Sequence, residues 1–87
     1  MFIVSLTYTV DLEKIDKILP LHVEYLKNQY EKGHFIASGR KIPRIGGIIF
    51  SKLKNLKKLQ EVLNQDPFKK NNLATYEIQE FINLKEE

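Results

Sequence analysis

Cysteine is absent from the 87-residue chain, which excludes disulfide staples, thiolate zinc sites and a cysteine nucleophile, and fits a reducing compartment. Only two histidines are present, His22 and His34. Most of a helix and a glycine turn separate them, so no metal site is expected. No apolar run approaches the roughly 20 residues of a membrane span. The opening Met1-Phe2-Ile3-Val4-Ser5 carries neither a basic leader nor a small-residue cleavage site. The expectation is a cytoplasmic protein with no membrane partner. Repeats, linkers and low-complexity stretches are also missing, and the length leaves room for one core, so a single domain over residues 1–87 is expected.

Apolar residues are spread from Phe2 to Leu84, and 43% hydrophobic with 29% charged residues is the composition of a folded globular chain. The formal charge of +3 comes mainly from lysines such as Lys52, Lys54, Lys57, Lys58, Lys69 and Lys70. Lysine is a solvated point charge, so these read as surface rather than as a binding patch for an anionic partner.

Phe2 to Val10 alternates strictly between apolar and polar-side positions and predicts a strand. Asp11 is placed to cap a helix in which Ile15, Ile18, Leu19, His22, Leu26 and Tyr30 recur at three- and four-residue steps, with Gly33 at its end. Pro20 lies inside that helix and predicts a kink or break near Ile18 to Pro20. His34 to Ser38 reads as a second strand. Gly47 to Ser51 reads as a third, central because Ile48-Ile49-Phe50 is apolar on both faces. Gly39 to Gly46 is a long hairpin connection. Asn55 caps a short helix, Asp66-Pro67-Phe68 begins a turn, and Thr75 to Leu84 is a last strand with a bulge at Glu80 and Phe81. The order is βαββαβ, that of a ferredoxin-like α+β domain: an antiparallel sheet with two helices on one face. The other face is expected to carry some of Ile3, Ile36, Ile49 and Phe81, and a second copy of the chain would cover it, giving a homodimer.

The helical period puts His22 on the buried stripe, four residues after Ile18 and four before Leu26. A buried imidazole needs a polar partner, and a carboxylate would also fix its tautomer. Asp66 follows the second helix, on the same side of the sheet. Position alone allows a structural reading of each residue: a core histidine with one hydrogen bond, and a helix cap. Ser38-Gly39, Arg44 and Gly46-Gly47 add backbone amides and a guanidinium that suit an anionic ligand, though a hairpin loop needs glycines in any case. The glycine pair is not a P-loop, since no lysine and hydroxyl follow at the required spacing.

Leu21-His22-Val23, Ser38-Gly39 leading through Ile42-Pro43-Arg44 to Gly46-Gly47-Ile48-Ile49, and Asp66-Pro67-Phe68 together resemble the YciI-like (YCII-related) family over nearly the whole chain. The resemblance implies the dimeric α/β-barrel version of the ferredoxin-like fold and assigns His22 and Asp66 as a catalytic pair. Two positions depart from the family pattern: Leu19 stands where many members have arginine, and Arg40 where a proline follows the Ser-Gly pair. Arg40 or Arg44 then takes the substrate-binding role, or the substrate differs. One branch of the family removes chloride from chlorinated hydroxyquinones, and relatives of similar fold include lactone isomerases.

The leading reading is therefore a small-molecule enzyme without metal or organic cofactor. His22 and Asp66 would move a proton in isomerisation or elimination, and Ser38, Gly39, Arg40, Arg44, Gly46 and Gly47 would hold a small anionic or aromatic molecule. A ligand-binding or accessory protein needs the same pocket and is the alternative. An RNA-binding module shares the element order but needs stacking aromatics on its third strand, where this chain has isoleucines, so no nucleic-acid partner is expected.

Overall fold

Alternation makes the first strand, β1 (Phe2–Tyr8), and sends Phe2, Val4 and Leu6 to one side, where all three are buried. In the computed structural model, which describes residues 1–86, the chain continues through α1 (Leu12–Glu31), β2 (Phe35–Arg40), β3 (Gly46–Ser51), α2 (Leu56–Leu63), a short α3 (Pro67–Lys70) and β4 (Ala74–Glu80). It ends in a 3₁₀ turn at Leu84–Glu86. The strands run in the order β2-β3-β1-β4, with every neighbour antiparallel. This is the ferredoxin-like α+β arrangement, with β3 and β1 in the centre.

Register decides which side chains meet the helices, because residues paired across antiparallel strands lie on one face. Val4 pairs with Ile49 and Ile78, and Leu6 with Gly47 and Tyr76. Ser38 pairs with Ile49, and Arg40 with Gly47. These residues face the helices, which contribute Ile15 and Tyr25 from α1, Leu59, Val62 and Leu63 from α2, and Phe68 from α3 to the core. The opposite face carries Ile3, Ser5, Ile48 and Phe50. Ile49 is thus not on the open face as expected. Its pairing with Val4 turns it into the core, where it is 2% exposed, and Ile48 and Phe50 take its place.

Three other expectations are corrected. The break at Pro20 does not occur: α1 is continuous from Leu12 to Glu31. The bond a proline removes is the one to the Asp16 carbonyl, and Asp16 and Pro20 are both exposed, so the freed carbonyl lies on the solvent side. The last strand has no bulge at Glu80 and Phe81. It stops at Glu80, and Phe81 lies beyond it, its amide N–H donating to the Met1 carbonyl at 2.9 Å. The irregularity falls instead in β2, between Phe35 and Ala37. Asp11 sits at the N-cap of α1, but its side chain makes no capping bond. At the other end the Gly33 N–H donates to Tyr30 and the His34 N–H to Gln29, with Gly33 at φ +76°, the turn that glycine permits at a helix end.

Candidate functional site

On α1 the buried positions are Ile15, His22, Tyr25 and Gln29, so His22 enters the space between the helix and the sheet by period alone. Its partner comes from the turn between α2 and α3. Asp66 has extended backbone at the N-cap of α3, with Pro67 as the first helical residue. The Asp66 side chain is fully buried, and His22 Nδ1 lies 2.7 Å from its Oδ1. The same Oδ1 accepts the Phe68 N–H at 3.0 Å, and Oδ2 accepts the Tyr76 hydroxyl at 2.6 Å. Capping and orientation of the histidine therefore share one oxygen, rather than dividing between two, and the second oxygen is bound by a tyrosine.

Two donors, the Phe68 N–H and the Tyr76 hydroxyl, already point at this carboxylate, and a carboxylate only accepts, so we assign the proton of the neutral imidazole to Nδ1. Nε2 is left as the acceptor. Among the described residues Nε2 has no hydrogen-bond partner and no fully buried side-chain nitrogen lacks one, so Nε2 is open to its surroundings. The Phe68 ring lies flat on the imidazole, with centroids 4.0 Å apart and planes 8° from parallel. Phe68 thus fixes the ring plane while its amide holds Asp66. Tyr25 stacks more loosely on the imidazole at 6.3 Å, and its hydroxyl donates to the Val62 carbonyl at 2.8 Å. Burial, and after it the Asp66 charge, pushes the Tyr76 and Tyr25 phenols far above their ordinary range, so both remain hydrogen-bond donors.

His22 forms part of the wall of a cavity of about 230 Å³ between α1 and the β1, β2 and β3 strands. Leu6, Tyr8, Leu19, Val23, Leu26 and Ile49 give it apolar walls, and Ser38, Gly39, Arg40, Gly47 and Ile48, whose side chain turns to the open face, complete it. The register explains the space. Arg40, Gly47, Leu6 and Tyr76 form one row across the helix-facing side, and Gly47 contributes no side chain to it. Arg40 sits at the β2 end of that row, on the sheet edge.

Of the residues singled out from sequence, His22, Ser38, Gly39, Arg40 and Gly47 meet at this cavity, and Asp66 stands behind His22. Arg44 and Gly46 are elsewhere. The Arg44 guanidinium donates to Asp16, which holds the Asp16 carboxyl below its usual value, and Arg44 lines a separate surface groove with Thr7, Val10 and Ile45. Gly46 is packed against β1, where a Cβ atom would lie 1.8 Å from the Leu6 carbonyl oxygen. Sequence reasoning missed Tyr76 as a partner of Asp66 and Phe68 as the imidazole's stacking plate. Only the pairing of Tyr76 with Leu6 brings the phenol to the helix side, and alternation along the last strand was the available signal. Among the described residues no three His, Asp or Glu side chains gather to hold a metal ion, and no helix is long and apolar enough to cross a membrane.

A ferredoxin-like domain with a histidine–aspartate pair behind an apolar cavity is the class these features define. The family model of the YCII-related domain matches residues 1–82, and the chain belongs to that family. Among solved structures, the chain is similar to a 5-chloro-2-hydroxyhydroquinone dehydrochlorinase from Burkholderia phenoliruptrix AC1100, in complex with 2,5-dihydroxybenzoquinone. The TM-score is 0.79 and the identity 14%, over 99% of this chain and 98% of the other. That likeness places the fold with the dimeric α/β-barrel type. Comparison with curated proteins found no match.

Proposed function

We propose that the protein is a cofactor-independent enzyme acting on a small ring-shaped molecule, with His22 as the proton carrier and Asp66 as the group that orients it. The observation that carries this reading is the 2.7 Å contact between His22 Nδ1 and a fully buried Asp66, with the ring's other nitrogen open beside a cavity. Nε2 would take a proton as a C–H or O–H bond breaks. The electron pair left behind then either expels an anion, as in elimination, or shifts so that the imidazolium returns the proton at a second atom, as in isomerisation. Asp66 stabilises the imidazolium formed in between.

The cavity's size and walls support a ring. About 150 Å³ is enough for benzene, and this space is about 230 Å³, mostly apolar, with Arg40 and Ser38 among the residues at its wall, the Ser38 hydroxyl paired with that of Tyr30. A substituted ring with an ionised oxygen or carboxylate fits that pattern, and the quinone bound by the similar dehydrochlorinase is such a molecule. Ser38, Gly39, Arg40 and Gly47 are its proposed contacts.

Proton transfer can be tested without knowing the natural reaction. With 2,5-dihydroxybenzoquinone in D₂O, the protein is expected to speed exchange of the ring hydrogens, followed by NMR. His22→Ala and Asp66→Asn should each slow that exchange by about 10²- to 10⁴-fold, the usual worth of a positioned acid–base group. Binding with exchange at the buffer rate would leave a ligand-binding protein in place of an enzyme.

A second copy of the chain is the proposed cover for the open sheet face. Among the described residues, Ile3, Ile48 and Phe50 lie there on the side away from the helices that build the core, and Phe50 is 37% exposed.

A further inference from the structure

We infer that Tyr76 is a positioning residue that sets the proton affinity of His22 through Asp66. As a statement about catalysis this rests on the reading above; as a statement about proton affinity it stands on the geometry alone. Asp66 Oδ1 already serves both the α3 cap and His22, at 3.0 and 2.7 Å. Neither role needs Oδ2, yet that oxygen receives the shortest of the three bonds, 2.6 Å from the Tyr76 hydroxyl. A hydroxyl held on one oxygen draws carboxylate charge toward itself and away from the other. It therefore weakens the hold of Oδ1 on an imidazolium. Without the phenol the charge concentrates on the His22 side, and the histidine keeps its proton to higher pH.

The other groups around His22 are fixed by the same packing. Tyr25 stacks from its own helix, and Tyr8 of β1 and Arg40 of β2 face the same cavity. Lys69 of α3 lies 5.4 Å from the centre of the Tyr76 ring and acts at one further remove. Among these groups Tyr76 is the one hydrogen-bonded to Asp66, and it does not line the cavity, so changing it alters the pair and leaves the cavity walls intact.

The test is an NMR pH titration of the histidine ring carbons in the free protein. His34 serves as the internal reference, since its Nδ1 is held 2.7 Å from Gln29 Oε1, away from the site. In Tyr76→Phe the His22 midpoint should rise, a gain in proton affinity of roughly tenfold, while His34 stays in place. Site-specific replacement of Tyr76 by 3,5-difluorotyrosine, a stronger donor of unchanged ring shape, should move the His22 midpoint down. That variant keeps the test open if Tyr76→Phe fails to fold. A midpoint unmoved by both changes, or moved the same way by both, overturns the inference. The titration needs no substrate, so failure of the enzymatic reading would show in the exchange assay and not here. If both hold, the acid limb of the exchange rate against pH shifts with the midpoint.

Discussion

Asp66 joins two demands at one side chain. It caps α3 through the Phe68 N–H and holds the His22 ring, and it is fully buried while doing so. Removing the carboxylate would leave a backbone donor, an imidazole donor and a phenol donor without an acceptor, in a place water does not reach. Asp66→Ala is therefore expected to cost about 3–5 kcal/mol in urea unfolding. Asp66→Asn keeps one oxygen for Phe68 and His22, and the Tyr76 hydroxyl can turn to accept from the new amide, so about 1–2 kcal/mol is expected. Equal losses for the two variants would show that the hydrogen bonds carry little of the stability. His22 and Asp66 were legible as a pair because helical period and the burial of a polar group are local arguments that need no coordinates. Tyr76 was not, because its role depends on a register set by pairing with Leu6, and Arg44 was misplaced because its partner Asp16 lies 28 residues away.

Among the elements, the central strands tolerate the least. Gly46 lies against the β1 backbone, and the first atom of any side chain there would overlap the Leu6 carbonyl oxygen. Gly39 has nothing within 4 Å of the equivalent position, although it is only seven residues away. Gly46→Ala is expected to force β3 away from β1 and to cost at least the roughly 1–3 kcal/mol of ordinary overpacking, whereas Gly39→Ala should fall within about 0.5 kcal/mol of the parent. Thermal melts of the two variants compare them directly, and similar melting points would contradict the packing argument. Both glycines look alike in sequence, since a hairpin connection accounts for each. The element order, the capping of α2 by Asn55 and the central place of β3 were readable from alternation and turn residues. Pro20 was not: a proline's cost depends on whether the carbonyl it frees faces solvent, which is a property of the packed helix. Nor was the face of Ile49 readable, because a run apolar on both sides offers no alternation to assign it.

For the whole molecule, the helices protect one side of the sheet and leave Ile3, Ile48 and Phe50 on the other. If a second copy covers them, light scattering should give twice the chain mass at micromolar concentration, and Phe50→Asp should give a folded monomer, because it places a charge where the partner's apolar face would sit. A monomer mass for the parent chain would remove the proposal. The cavity beside His22 has a different consequence. It is a gap of about 230 Å³ lined chiefly by the apolar side chains of α1 and the sheet, so it is a missing portion of the hydrophobic interior. A molecule that fills it supplies packing that the polypeptide does not, and it does so only in the folded state. At a hundred times its dissociation constant such a molecule adds about 2.7 kcal/mol of stability, and each kcal/mol raises the melting temperature of a domain of this size by about 4–8 °C. The natural substrate could thus be sought among small rings by the heat resistance each confers, before any reaction has been observed.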